Sequence, residues 1–253
     1  MSPPTDWLKA KGEERRRVVT AAAAALSGKY KKRWESVVPI ELHRLAYTLD
    51  AQIKRHRHVR DGARLLPVPG GFRVLIGYNL PRSKFRTSVA HELAHTLFYS
   101  RDSETPQQLV ASSQAEEHFC FDVARHVLAP DWLVHAAELE RLSDASEVYR
   151  RLIDWNGAFQ LSQPIAARVM LADYQLAIGV AGRWVRGQDG WKCECSGASA
   201  SPCLSTDERA FLWYVAESWL RRGIEWSGFR VIGRPIQRDS DSAFVVVVRC
   251  NST

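Results

Sequence analysis

The segment TSVAHELAHTLF, residues 87–98, sets His91, Glu92 and His95 inside an apolar run, and this constrains the chain more than any other feature. Val89, Leu93, Leu97 and Phe98 predict a helix that packs into a core. Residues i and i+4 of a helix are neighbours on one face, so His91 and His95 direct two imidazoles at a common position. Ionisable groups amid such packing cost free energy unless something pairs with them, and a metal ion does so. Zinc accepts neutral imidazole nitrogen, prefers a tetrahedron, and in catalytic sites keeps one position open. Glu92, next to the first histidine, is placed to act as general base towards a water acidified by that ion.

A catalytic zinc needs a third protein ligand. After a polar loop at 100–113, residues 114–130 read QAEEHFCFDVARHVLAP. Ala115, Phe119, Cys120, Val123, Val127 and Leu128 line one broad side of a second predicted helix, which Pro130 ends. Glu116 shares a stripe with Cys120, Val123 and Val127, whereas Glu117 shares one with Phe121, Ala124 and Leu128. Periodicity leaves both glutamates open as the third ligand, with His118 and His126 as further candidates.

Elsewhere the patterns alternate between helix and strand. Residues 6–27 predict a helix with an alanine-rich second half, stopped at Gly28, and Pro39 predicts the opening of another through Leu49. Residues 63–68 and 72–78, joined by Pro69-Gly70-Gly71, predict a hairpin. The helix bearing the histidines spans 83–98. Two or three more helices are expected between 131 and 173, one opening at Ser162 with Pro164 in its first turn. Beyond 173 the texture becomes β-β-α-β-β, with strands at 174–185, 191–195, 229–232 and 243–249 around a helix capped by Ser205. Five of the nine tryptophans fall in this segment, where they suit a small core and a binding face.

Composition narrows the function classes. With 253 residues the chain can bury a sizeable core. Its apolar runs are too short for a bilayer, and its N-terminus lacks the pattern of a secretory signal, so a cytoplasmic protein is expected. An odd count of five cysteines argues against a disulfide framework. Cys193, Cys195 and Cys203 lack the paired spacing of a zinc knuckle and read as ordinary thiols. Of the net charge of +7, residues 1–60 carry a balance of +8, from 14 Lys/Arg against 6 Asp/Glu. Arg15-Arg16-Arg17, Lys29 to Arg33 and Lys54 to His58 form basic clusters that can attract nucleic acid or an acidic partner. No complete helix-turn-helix, zinc finger or phosphate loop accompanies them.

The run Lys84-Phe85-Arg86-Thr87-Ser88-Val89-Ala90-His91-Glu92-Leu93-Ala94-His95, followed by Glu117 to Pro130, resembles the ImmA/IrrE family of bacterial and phage metallopeptidases. That family's core reads as a basic residue, "rFslAHElgH", a variable loop, and "ExxANxFAxxLLMP". Upstream, Pro39 to Ala46 and Gly70-Gly71-Phe72 are similar to its entry helix and strands; downstream, Gln160 to Val169 is similar to its "VSxxAxxxRL" helix. The chain departs from the pattern at Cys120-Phe121, Val123 and Ala129. The resemblance covers about residues 37–172.

It implies zinc held by His91, His95 and Glu117, with Glu92 as general base; manganese or iron also suits such a donor set. It implies an endopeptidase whose substrate is a helix-turn-helix repressor, so that cleavage regulates gene expression in stress responses. It also implies an α+β fold with a mostly helical zincin-like core and a small sheet edge at 37–172. A basic helical extension (1–36) would precede that core, and a small α+β domain (173–253) would follow it. The alternatives are a catalytically weak regulatory or interaction protein on the same scaffold, or a nucleic-acid binder using the basic N-terminal region.

Overall fold

Gly12 adopts φ +53, a left-handed conformation open to glycine at little steric cost, and there the expected N-terminal helix divides. In this computed structural model α1 (Pro4–Lys9) precedes the break and α2 (Gly12–Trp34) follows it. The described residues are 4–34, 39–80, 82–132, 134, 145–173, 177, 179–188, 190–200, 204–223, 229–235 and 242–249. The architecture is mixed α+β, in two compact units, 1–134 and 135–253.

The first unit contains the histidine segment. Gly28 does not stop α2, because Ser27 and Tyr30 on either side of it are buried and packing outweighs glycine's low helix propensity. Helix α2 packs on α5 (Gln114–Leu128) and buries Val19, Ala22, Ala23 and Leu26, so residues 4–34 help to build this core. Trp7 of α1 stacks on Phe119 at 5.8 Å and meets Phe98 edge-on at 6.1 Å. Arg15 reaches from α2 to Asp122 of α5, its Nε and Nη2 donating to Oδ2 at 2.9 and 2.7 Å. Pro39 stands three residues before α3 (Leu42–Thr48), whose N-cap is Glu41.

A three-stranded sheet follows, made of β1 (Ala51–Arg55), β2 (Ala63–Val68) and β3 (Gly71–Ile76) in the order β1-β3-β2. The expected hairpin is its antiparallel β2/β3 pair; β1 lies parallel to β3. At Gly71, with φ +152, a Cβ would stand 2.0 Å from the carbonyl oxygen of Asp50, so only glycine fits. Helix α4 (Arg82–His95), continued by a 3-10 turn over Thr96–Phe98, packs on β2, β3 and α5. Val89, Ala90, Leu93 and Ala94 are fully buried there. Two-residue strands, β4 (Tyr99–Ser100) and β5 (Gln107–Gln108), lie in or beside the polar loop.

The second unit contains α6 (Ala145–Phe159), α7 (Gln163–Arg168) and a π-helical turn over Val169–Asp173. Ser162 is the N-cap of α7, as expected, although its side chain makes no capping bond. Strands β6 (Gly179–Gly187), β7 (Gly190–Ala200), β8 (Phe229–Pro235) and β9 (Ser242–Arg249) form an antiparallel sheet in the order β7-β6-β9-β8. Helices α6 and α7 pack against this sheet, which groups residues 145–173 with the C-terminal unit although the expected boundary stood at 172. Helix α8 (Thr206–Arg222) opens on a capping box in which Ser205 Oγ accepts from the Glu208 amide at 3.2 Å. Val180, Trp184, Leu212, Val215, Val245 and Val247 form the core between helix and sheet. Residues 174–176, where the first of these strands was expected to begin, Cys203 and Trp226 lie outside the described residues, as does the side chain of Cys195. Among the described residues, no helix is long and apolar enough to cross a membrane.

Candidate metal centre

Two helices, α4 and α5, meet at HELAH. On α4 Val89, Ala90, Leu93 and Ala94 are fully buried, and His91 is buried as well, at 6% exposed. Helix α5 starts where Ser113 Oγ accepts from the Glu116 amide at 3.1 Å. Glu116 lies on the buried stripe with Cys120, Val123 and Val127, and Glu117 on the half-exposed side.

The ligand atoms converge. Nε2 of His91 lies 3.0 Å from Oε2 of Glu117 and 3.1 Å from Nε2 of His95, and His95 Nε2 lies 3.5 Å from Glu117 Oε1. Donors about 2.0–2.1 Å from a tetrahedral zinc stand about 3.3 Å from one another, so these separations suit one face of such a tetrahedron. Sequence periodicity left Glu116 and Glu117 equivalent; here Glu117 joins both histidines, and Glu116 takes the opposite edge of His95. Its Oε1 is 2.7 Å from His95 Nδ1, where Nδ1–H donates to the carboxylate and leaves the Nε2 lone pair for an ion. His118, on the exposed side of α5, and the buried His126 do not join either group of metal-competent donors found among the described residues.

A second group, His95, Glu116 and Cys120, is also close enough to ligate an ion. Burial, and then the carboxylates of Glu116 and Glu117, push the Cys120 thiol far up in the metal-free protein. In that group Glu116 and Cys120 are both buried, whereas the group of His91, His95 and Glu117 has a half-exposed carboxylate and could hold a metal ion with one side open.

The electrostatics of the pair His91 and Glu92 follow from their burial. Burial is the main cause that holds His91 down at about 4; His95 adds to it and Glu117 opposes it. The ring is therefore neutral at neutral pH, the form that binds metal. Burial pushes the Glu92 carboxyl above its ordinary range, against the pull of His95 and of its bond to the Leu65 amide. That amide, on β2, donates to Glu92 Oε2 at 2.7 Å and fixes the carboxylate beside the two histidines.

Three participants escaped sequence reasoning. The Leu65 amide is a backbone group on an edge strand and has no residue-type signal. Tyr99, half-buried just past α4, has its phenol pushed up by burial and then by Glu116 and Glu92, and so remains a donor. Phe121 packs its ring on His91 at 3.9 Å between centroids. Its place one turn beyond Glu117 was the signal available for it.

No family model matches the chain, and no curated protein matches it. A solved structure of a Mycobacterium tuberculosis transcriptional regulator superposes with a TM-score of 0.50 at 12% identity, over 94% of this chain and 77% of the other. At that identity the similarity is one of fold.

Proposed function

We propose that the chain is a zinc-dependent endopeptidase of the ImmA/IrrE type, with His91, His95 and Glu117 holding the ion and Glu92 as general base. The observation that carries this reading is the convergence of two imidazole nitrogens and one carboxylate at 3.0–3.5 Å, beside a carboxylate fixed by a backbone amide. When bound, zinc supplies Lewis acidity that polarises a peptide carbonyl and lowers the pKa of a water towards about 7. Glu92, anchored through Oε2, would have Oε1 free to accept a proton from a water and pass it to the departing amine. Its raised pKa brings the carboxyl nearer the working pH, which suits both transfers. Glu116 keeps His95 in the ligating tautomer, and the half-exposed side of Glu117 leaves the position open to a polypeptide.

The substrate that fits the resemblance is a helix-turn-helix repressor, whose cleavage would relieve repression in the cytoplasm. Glu92→Gln tests the reading: the variant should retain zinc and lose both cleavage and the regulatory effect. Retention of the effect by a variant that no longer cleaves defeats it.

A second reading is a regulatory protein that uses this scaffold without peptide hydrolysis; a transcriptional regulator shares the fold. It expects Glu92→Gln to be silent. Direct nucleic-acid binding would draw on exposed cations such as Lys29, Lys32, Lys54 and Arg57, since Arg15 is engaged by Asp122. Such binding would be strongly salt-dependent and would survive chelation.

A further inference from the structure

Metal-binding histidines are ordinarily oriented by a hydrogen bond on the nitrogen that does not ligate. His95 has one, from Nδ1 to Glu116. His91 differs: its Nδ1 is buried and has no hydrogen-bond partner among the described residues. What meets its ring instead is Phe121, centroid to centroid at 3.9 Å with the planes 34° apart. Phe121 is an exposed aromatic, 44% accessible, although it stands one turn from Glu117 and its stripe neighbours Ala124 and Leu128 are fully buried. Such exposure gives the ring little part in the core. The face it does cover is the imidazole plane, and the ring of His95 meets that imidazole edge-on at 4.8 Å and 85°.

We infer that Phe121 is a positioning residue for the metal site: its ring, tilted over the face of His91, sets the imidazole plane in place of the missing hydrogen bond. The inference rests on the zinc reading above. The two ligand histidines are then held by different physics. A charge-assisted hydrogen bond holds His95 through its edge, and an aromatic contact holds His91 through its face. An aromatic pair contributes modestly beyond its buried area, and in metal affinity that corresponds to a factor of about three to ten.

The test titrates the full-length, metal-free chain with Co2+, read by its visible ligand-field band, and with Zn2+ in competition against a chromophoric chelator. Circular dichroism of the metal-free proteins establishes that each variant is folded. Phe121→Ala should bind both ions about three- to tenfold more weakly than wild type, with an altered Co2+ band. Phe121→Tyr, which keeps a ring, should restore affinity and band, and Phe121→Leu, which keeps apolar bulk alone, should not. Wild-type affinity and an unchanged band in Phe121→Ala overturn the inference and leave the zinc reading standing, as does full restoration by Phe121→Leu. A wild-type chain that takes up neither ion overturns the zinc reading itself, and this inference with it.

Discussion

Oε1 of Glu116 stands 2.7 Å from Nδ1 of His95, while an oxygen of the next residue, Glu117, stands 3.5 Å from Nε2 of the same ring. Adjacent residues of one helix thus serve opposite edges of one imidazole, one as orienting acceptor and one as partner in the donor set. The Ser113 cap starts α5 just before the pair, and the packing of α5 on α4 sets which glutamate faces the core.

Glu116→Gln should therefore weaken zinc without removing the site. The amide oxygen still accepts from His95 Nδ1–H, but the charge that strengthens that bond is gone. Loss of an orienting partner of this kind costs about 10- to 100-fold in metal affinity, and this conservative change belongs at the lower end. Glu117→Gln removes a ligand and should cost more. Competition titration of both variants against a chelator checks the order; equal losses would refute the division of roles.

Acid should destabilise the metal-free protein through His91. The ring has an ordinary value of 6.5 and is held at about 4 in the native state, chiefly by burial. Between those values the unfolded chain binds a proton that the native chain does not, so stability present above pH 6.5 is lost as the pH falls towards 4. The whole contribution is on the order of 3 kcal/mol. Glu92 acts in the opposite sense: burial raises its carboxyl above 4.5, so its contribution is present at low pH and lost as the pH rises. Urea denaturation of the chelated protein across this range should show a shallower acid loss for His91→Gln and a steeper one for Glu92→Gln. Identical slopes in all three proteins would rule out buried, neutral His91.

Asp122 ties α2 to α5. Burial alone would raise its carboxyl, but Arg125 and Arg15 outweigh that and hold it below the ordinary range. Arg125 Nη2 donates to Oδ1 at 2.8 Å, opposite the two bonds from Arg15. Asp122→Ala leaves both guanidinium groups facing each other without their shared acceptor, and should cost about 3 kcal/mol. Arg15→Ala, which removes a less buried partner, should cost about 1–2 kcal/mol. Shifts in the urea midpoint measure both; a neutral Asp122→Ala would show that the network does not hold α2 on α5.

The sequence by itself determined a good deal here. The i, i+4 histidines, the core face of α4, the β2/β3 hairpin around Gly70-Gly71 and the Ser205 cap of α8 are local regularities of spacing or turn chemistry. Each is set by residues a few positions apart, and each could be read before any fold was known. The strand β1 could not. Only Ala51 of its five residues is buried, and its Lys54 and Arg55 suit an edge strand that must not pair further, so no apolar alternation marks it.

Tertiary structure decided what depends on residues far apart in the chain. Gly28 looks like a helix stop until Tyr30 is seen buried against the rest of the first unit. Arg15 and Asp122 are 107 residues apart, and nothing local pairs them. The choice between Glu116 and Glu117 is of the same kind. A helical stripe says which residues lie together on α5, but it carries no information about which stripe meets α4. Only the packing of the two helices sends Glu117 to the imidazole nitrogens and Glu116 behind them.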